Sequence, residues 1–205
     1  FEFEGNTAFS QEELAEITQP FIHKSLSFTE LLQVRSEITK FYVSKGYITS
    51  GAYIPPQTLD NGVVIIKIIE GSLESINVQV EGKLNPDYVR DRLWLAAGKP
   101  LNIPRLLEAL QILQLNPVIA KISSELANST EPGQSILNVS VQTARSFYPS
   151  IILDNGRNPQ VGSFRRGVAL EEINLSGNGD TLQGTYLNTD GSNDLDVSYA
   201  IPLTP

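Results

Sequence analysis

The sequence has no cysteine and no methionine among its 205 residues, and it has one histidine, His23, and one tryptophan, Trp94. Without cysteine there are no disulfides, no thiolate chemistry and none of the common structural zinc sites. This suits an oxidising compartment such as a periplasm without identifying one. A Ser-His-Asp arrangement would have to be built around His23, which falls between two helical stretches, where a surface or helix-end role is the simpler account. No GxSxG, Walker loop or HExxH occurs. Positive charge is scarce, 15 Lys+Arg against 23 Asp+Glu for a formal net charge of -8, which argues against a surface that tracks nucleic acid or anionic headgroups. Lys121, Arg145, Arg157, Arg165 and Arg166 are unevenly spread and leave room for a local basic patch. No apolar run approaches the ~20 residues of a membrane-spanning helix. Spanning strands need only about ten residues of alternating character and escape that test. A chain that begins at Phe1 without Met reads as a processed or partial product.

What is present is a pattern that occurs twice. Phe1–Gly5 alternates as a short strand, and Ser10 with Glu13 forms a capping box ahead of a helix with Leu14, Ile17 and Phe21 inward, ended or bent by Pro20. A second box, Ser27 with Glu30, opens a helix over 28–45 with Leu31, Val34, Ile38 and Phe41 on one face. Gly46 suits its left-handed cap. Tyr47–Ile54 reads as a strand that Pro55 and Pro56 confine to a sheet edge. A turn at Asp60-Asn61-Gly62 then leads to the almost wholly apolar Val63–Ile69, the expected central strand. The order strand, helix, helix, strand, strand returns after Gly71. Val80-Glu81-Gly82 echoes Phe3-Glu4-Gly5 at a distance of 77 positions (82 minus 5). Asn85-Pro86 and Asn102 start helices with Val89 and Leu93, then Leu106, Leu107, Leu110 and Leu113, facing inward. Val118–Leu126 and a strand carrying Leu137, Val139 and Val141 complete the copy.

The last 60 or so residues lack helical periodicity. Strands are expected over 147–153, 167–175, 181–187 and 194–202, packed as a hairpin ribbon or paired with a second copy of the chain and separated by Asn/Gly/Asp turns. Asp190, Asp194 and Asp196 lack the order of a calcium loop and read as a turn with solvated flanks. The adjacent pairs Glu12-Glu13 and Glu171-Glu172 point apart and make poor catalytic partners. The fold class is therefore α+β: two tandem βααββ units, 1–71 and 72–143, each with two helices on a three-stranded mixed sheet, followed by strands over 144–205.

The stretch Gly46-Tyr47, Pro56-Gln57 and Glu70-Gly71 resembles the first polypeptide-transport-associated (POTRA) domain of two-partner secretion outer-membrane transporters, of the TpsB type within the Omp85 superfamily. Leu115-Asn116-Pro117 and Pro132-Gly133 are similar to the second such domain. LDNGRNPQVGSFRRG, Gly179–Leu182 and the YAIPL at 199–203 look like the entry to the family's barrel. The resemblance implies periplasmic domains of an outer-membrane transporter, with most of the barrel, its inserted loop and an N-terminal plug helix outside this sequence. It further implies a secreted, unfolded polypeptide as partner, the outer membrane as anchor, and no enzyme activity, cofactor, metal, nucleic acid or small-molecule substrate.

The residues also suit binding by strand addition, since an interrupted edge strand leaves main-chain groups for an extended client. The candidate client-binding residues are Tyr42, Tyr47, Ile48, Thr49, Tyr53 and Ile54 on the first unit, and Val118, Ile119 and Lys121 on the second. Two other readings stand beside this one. The first is an assembly factor related to the outer-membrane insertases; the second is a structural spacer whose edges merely close their sheets, with Pro55 and Pro56 protecting against aggregation.

Overall fold

In the computed structural model, residues 1–58, 62–158, 160 and 162–202 are described. The Asp60-Asn61 part of the expected turn, Pro159 and Val161 in the barrel-entry motif and Leu203 of YAIPL lie outside the described residues. The chain is α+β, with four α-helices and three sheets and no closed barrel among the described residues. It divides into two compact units. One comprises 1–77, 93–111 and 124–138, and the other 78–92, 112–123 and 139–205, so the division passes through the second βααββ repeat.

The first repeat runs β1 (Glu2–Glu4), α1 (Gln11–Thr18), a 3₁₀ turn (Gln19–Phe21), α2 (Phe28–Ser44), β2 (Gly51–Tyr53) and β3 (Ile65–Ile69). Both expected capping boxes form. Ser10 and Ser27 accept from the N–H groups of Glu13 and Glu30, whose carboxylates return bonds to the cap N–H groups at 2.8 and 2.7 Å. The sheet order is β1-β3-β2, with β1 parallel and β2 antiparallel to a central β3. Phe3, Leu14, Val34, Ile38, Tyr42, Val64, Ile66 and Ile68 form the buried core. On α2 the buried face is Val34-Ile38-Tyr42, a strict i, i+4, i+8 row, so Tyr42 takes the place expected of Phe41, which is half-buried beside it.

The expected strand over 47–54 shrinks to Gly51–Tyr53, because the residues before it cap a helix. Gly46, at φ +91°, donates to Val43 O at 3.0 Å and Tyr47 donates to Tyr42 O at 3.0 Å, the paired bonds of a Schellman motif. Ser50 N then bonds Tyr47 O at 3.0 Å, closing a turn. Main-chain donors spent on the cap are not free for a ladder.

The second repeat follows the same order as β4 (Ser72–Glu81), α3 (Pro86–Ala97), α4 (Ile103–Gln114), β5 (Ile119–Asn128) and β6 (Gln134–Thr143). Its sheet order, β4-β6-β5, is again first, third, second, with β5 at the edge. Val89, Leu93, Leu106, Leu110 and Leu113 are buried as expected, whereas Leu107 is 51% exposed. Positions 106, 110 and 113 share one helical face, and 107 turns about 100° away from 106. Asn102 Oδ1 accepts from Arg105 N at 3.2 Å and caps α4.

β7 (Phe147–Asp154), β8 (Arg165–Ile173), β9 (Thr181–Thr189) and β10 (Ser192–Ala200) form an antiparallel four-stranded meander in the order β10-β9-β8-β7. Pro149 sits in β7, at the sheet's edge, where a missing donor is tolerated. Alternation along these strands places Ile151, Val168, Tyr186 and Leu195 in one cross-strand row, and Pro149, Leu170, Gly184 and Val197 in the next. The opposite face carries residues such as Gln183, Thr185, Asp196 and Ser198.

Candidate client-binding edge

At three residues, β2 is too short for its ladder alone to hold it in place. α2 supports it: Thr39 Oγ1 accepts from Ala52 N at 3.1 Å while donating to Arg35 O at 3.0 Å. An open groove of about 380 Å³ runs along that side, lined by Arg35, Ser36, Thr39, Lys40, Gly51 and Ala52. A second, of about 340 Å³, is lined by Ile48–Tyr53 with Ile69 and Gly133. The edge thus lies between a groove with a basic wall and one with an apolar wall.

The expected site residues separate on burial. Ile48 is 54% and Tyr53 41% exposed beside the second groove, with Tyr47, Thr49 and Ile54 half-buried. Tyr42 is fully buried and offers no surface to a client. Its ring meets Phe9 edge-on at 4.9 Å, and its hydroxyl donates to Glu70 Oε1 at 2.9 Å. Burial, and then this bond to a carboxylate, push its phenol far above the ordinary range. Val118 and Ile119 are core residues too, at the start of β5, while Lys121 is exposed two positions on. The consecutive Val118 and Ile119 are both inside because Val118 precedes the strand and is held by Asn116, whose Oδ1 accepts from Val118 N at 2.9 Å.

Three side chains that brace the edges were not among the expected ones. Glu70 collects Thr7 N at 2.7 Å, Ala8 N at 2.8 Å, the Thr7 hydroxyl and the Tyr42 hydroxyl. Burial by itself would raise its pKa. The donors outweigh it and hold the carboxyl below the ordinary carboxylate value. Gln57 faces Ile65 as a strand residue would, its Nε2 donating to Ile65 O and its Oε1 accepting from Ile65 N, both at 2.8 Å. It extends the pairing past the two prolines with a side chain in place of main chain. Gln114 does the same on β5, bonding Ala120 O at 3.3 Å and Ile122 N at 3.0 Å. Glu70 and Gln57 stand in the motifs that carry the resemblance, but their partners lie up to 63 residues away, so spacing alone could not reveal them.

The fold is a tandem pair of βααββ repeats followed by an antiparallel four-stranded meander. Residues 1–71 match the POTRA domain of the ShlB type. Across most of its length the chain is similar to transporter proteins. It is 26% identical over 187 residues to the heme/hemopexin transporter protein HuxB of Haemophilus influenzae strain 86-028NP, covering 89% of this chain and 32% of that protein. It is 23% identical over 178 residues to the outer membrane transporter CdiB of Dickeya dadantii strain 3937, covering 87% and 31%. Among solved structures, CdiB from Escherichia coli superposes with a TM-score of 0.67 at 22% identity over 98% of this chain and 38% of that one. The chain spans about a third of the length of the curated relatives it matches. These homologues are outer-membrane transporters, which places the chain at the outer membrane with its matched POTRA domain, residues 1–71, in the periplasm.

Proposed function

We propose that this chain is the client-recognition module of a two-partner outer-membrane transporter, taking up an unfolded secreted partner polypeptide on its POTRA edges and passing it toward a barrel. On this reading residues 1–71 and 72–143 are two POTRA domains, and 144–205 supply the opening strands of the barrel. The observation that carries it is the short edge strand β2, flanked by open grooves on both sides, with its Ala52 N–H held by one hydroxyl. An incoming strand offers a carbonyl in exchange for that hydroxyl and gains further main-chain bonds along the edge. Such recognition selects weakly among side chains, as a transporter of a long unfolded client requires. Ile48, Thr49 and Tyr53 then line the client's path on the first domain, with Tyr47 and Ile54 at its margins. On the second, Lys121 and the part of β5 beyond Gln114's reach, 124–128, do so.

Hydrogen exchange of the transporter with and without the N-terminal region of its secreted partner tests this. Slower exchange confined to 48–54 and 124–128 is expected. A client that binds and leaves both edges exchanging at their free rates would sink strand addition.

A further inference from the structure

Among the described residues, one cation stands on the apolar face of the meander. Arg166 is the second residue of β8 and shares a cross-strand row with Leu153, Asn188 and Asn193. Directly below lies the row of Ile151, Val168, Tyr186 and Leu195, with Ile151 79% and Leu195 74% exposed. An open groove of about 440 Å³ joins the two levels, lined by Ile151, Leu153, Val168, Tyr186, Asn188 and Arg166. The neighbouring arginines are neutralised, Arg165 by Asp154 at 2.7 Å and Arg157 by Asp194. No carboxylate lies within ion-pair distance of Arg166 among the described residues.

The guanidinium is nevertheless oriented. Its Nε donates to Asn188 Oδ1 at 2.6 Å, and Asn193 Oδ1 accepts from Asn188 Nδ2 at 2.7 Å and from the Tyr186 hydroxyl at 2.8 Å. This chain of bonds fixes the guanidinium and leaves both terminal nitrogens to a ligand. Planar, two-donor presentation matches the oxygens of a phosphate.

The end of the sheet on which Arg166 sits follows from the turns. The Asn174–Asp180 turn joins β8 to β9 at the opposite end, where Asn174 Nδ2 donates to Lys83 O at 2.9 Å and Asn85 N to Gly177 O at 2.8 Å, tying that end to the second repeat. Six residues of extended strand, about 20 Å, separate the Arg166 row from the row of Phe147, Glu172, Leu182 and Tyr199. With the repeats in the periplasm, Arg166 belongs to the outer leaflet. A charge facing hydrocarbon is costly, and it is tolerated near an interface where it meets a headgroup.

We propose that Arg166, positioned by Asn188, Asn193 and Tyr186, binds the phosphate of a phosphorylated outer-leaflet glycolipid, with an acyl chain of the same lipid lying in the Ile151, Leu153, Val168 groove. This rests on the reading of 144–205 as barrel strands.

The test takes the complete transporter, exchanged into phosphatidylcholine nanodiscs with or without lipid A, a bisphosphorylated glycolipid, and counts retained lipid by native mass spectrometry. The wild type retains lipid A in preference to phosphatidylcholine. Arg166→Gln retains roughly tenfold less, the loss of one two-donor charged contact, and Arg166→Lys falls between. Heat-modifiable gel mobility, unchanged in both variants, certifies that the barrel is folded. Equal retention by wild type and Arg166→Gln in folded protein overturns the lipid site and leaves the transporter reading standing. Displacement of lipid A by soluble pyrophosphate overturns the acyl groove and with it the proposal. A transporter whose 147–200 region remains open to protease in the nanodisc overturns the barrel assignment and the lipid site together.

Discussion

The two repeats share one topology and are held together differently. In the first, β1, β2 and β3 contain 3, 3 and 5 residues; in the second, β4, β5 and β6 contain 10 each. Short strands make few ladder bonds, so the first sheet relies on side chains that stand in for main chain. Thr39 holds Ala52, Gln57 pairs with both main-chain groups of Ile65, and Glu70 fastens the loop after β1. In the second sheet a side chain in the same role, Gln114, is added to a long strand. Substituting side chains for ladder bonds leaves an edge that can be opened one contact at a time, as a strand-accepting site requires.

The largest break in this comparison comes from Glu70. Glu70→Ala removes the acceptor of four bonds and leaves the buried Tyr42 hydroxyl without its partner, for an expected loss of about 3 kcal/mol. Urea unfolding reads the loss, and hydrogen exchange should confine it to 1–71. A loss under about 1 kcal/mol, or one spread over 72–143, would show that the first repeat does not depend on its side-chain braces.

The same carboxylate gives the first repeat a pH dependence. Its folded pKa lies below the ordinary value of 4.5, so the folded state binds fewer protons than the unfolded chain as pH falls toward and past 4.5. The stabilisation is complete above the unfolded pKa and is lost as pH drops through the folded one. Thermal unfolding of the wild type should decline on acidification across that window, and Glu70→Gln should flatten part of the decline. An identical acid slope in the variant would assign the effect to other carboxylates.

Gln57→Ala is expected to cost about 2 kcal/mol, two main-chain partners at about 1 kcal/mol each. Faster exchange at Ile65 N–H should accompany it. Unchanged exchange there would mean that the prolines alone terminate the pairing.

The parts of this architecture that repeat at short range were legible in the sequence. Ser10 with Glu13 and Ser27 with Glu30 mark two helix starts by residues three apart, and Asn85-Pro86 marks a third. The order of elements in both repeats follows from such signals, as does the alternation of Leu195, Val197 and Tyr199. The length of β2 was not legible, because Tyr47–Ser50 has strand-like residues, yet the Tyr47 N–H is taken by the end of α2 and the Ser50 N–H by a turn back to Tyr47, a contest that periodicity does not register. The choice of Tyr42 over Phe41 for the core was equally hidden, since the two are adjacent and both aromatic; Glu70, from the far end of the repeat, supplies the acceptor that makes a buried hydroxyl tolerable. Of the candidate edge, Ile48, Thr49 and Tyr53 could be placed from the strand pattern and the motif. Thr39 could not, because it sits on a helix 13 residues before its partner.

The smallest effect is expected at Gln114, and it is the sharpest test of the contrast. Gln114 makes the same pair of side-chain bonds as Gln57, one to a carbonyl and one to an N–H, at 3.3 and 3.0 Å in place of 2.8 and 2.8 Å. If each bond had a fixed value, the two alanine variants would lose equal stability. They differ in what remains afterwards. Ala120 is exposed, Ile122 is half-buried, and both bonds lie at the surface of a ten-residue strand where the freed groups can turn to water, so the desolvation penalty that makes a lost partner expensive is largely absent. Gln114→Ala should therefore cost about 0.5 kcal/mol, with faster exchange at Ile122 N–H and unchanged exchange at Ser124 and beyond. A loss matching that of Gln57→Ala would erase the distinction between a braced sheet and a self-sufficient one.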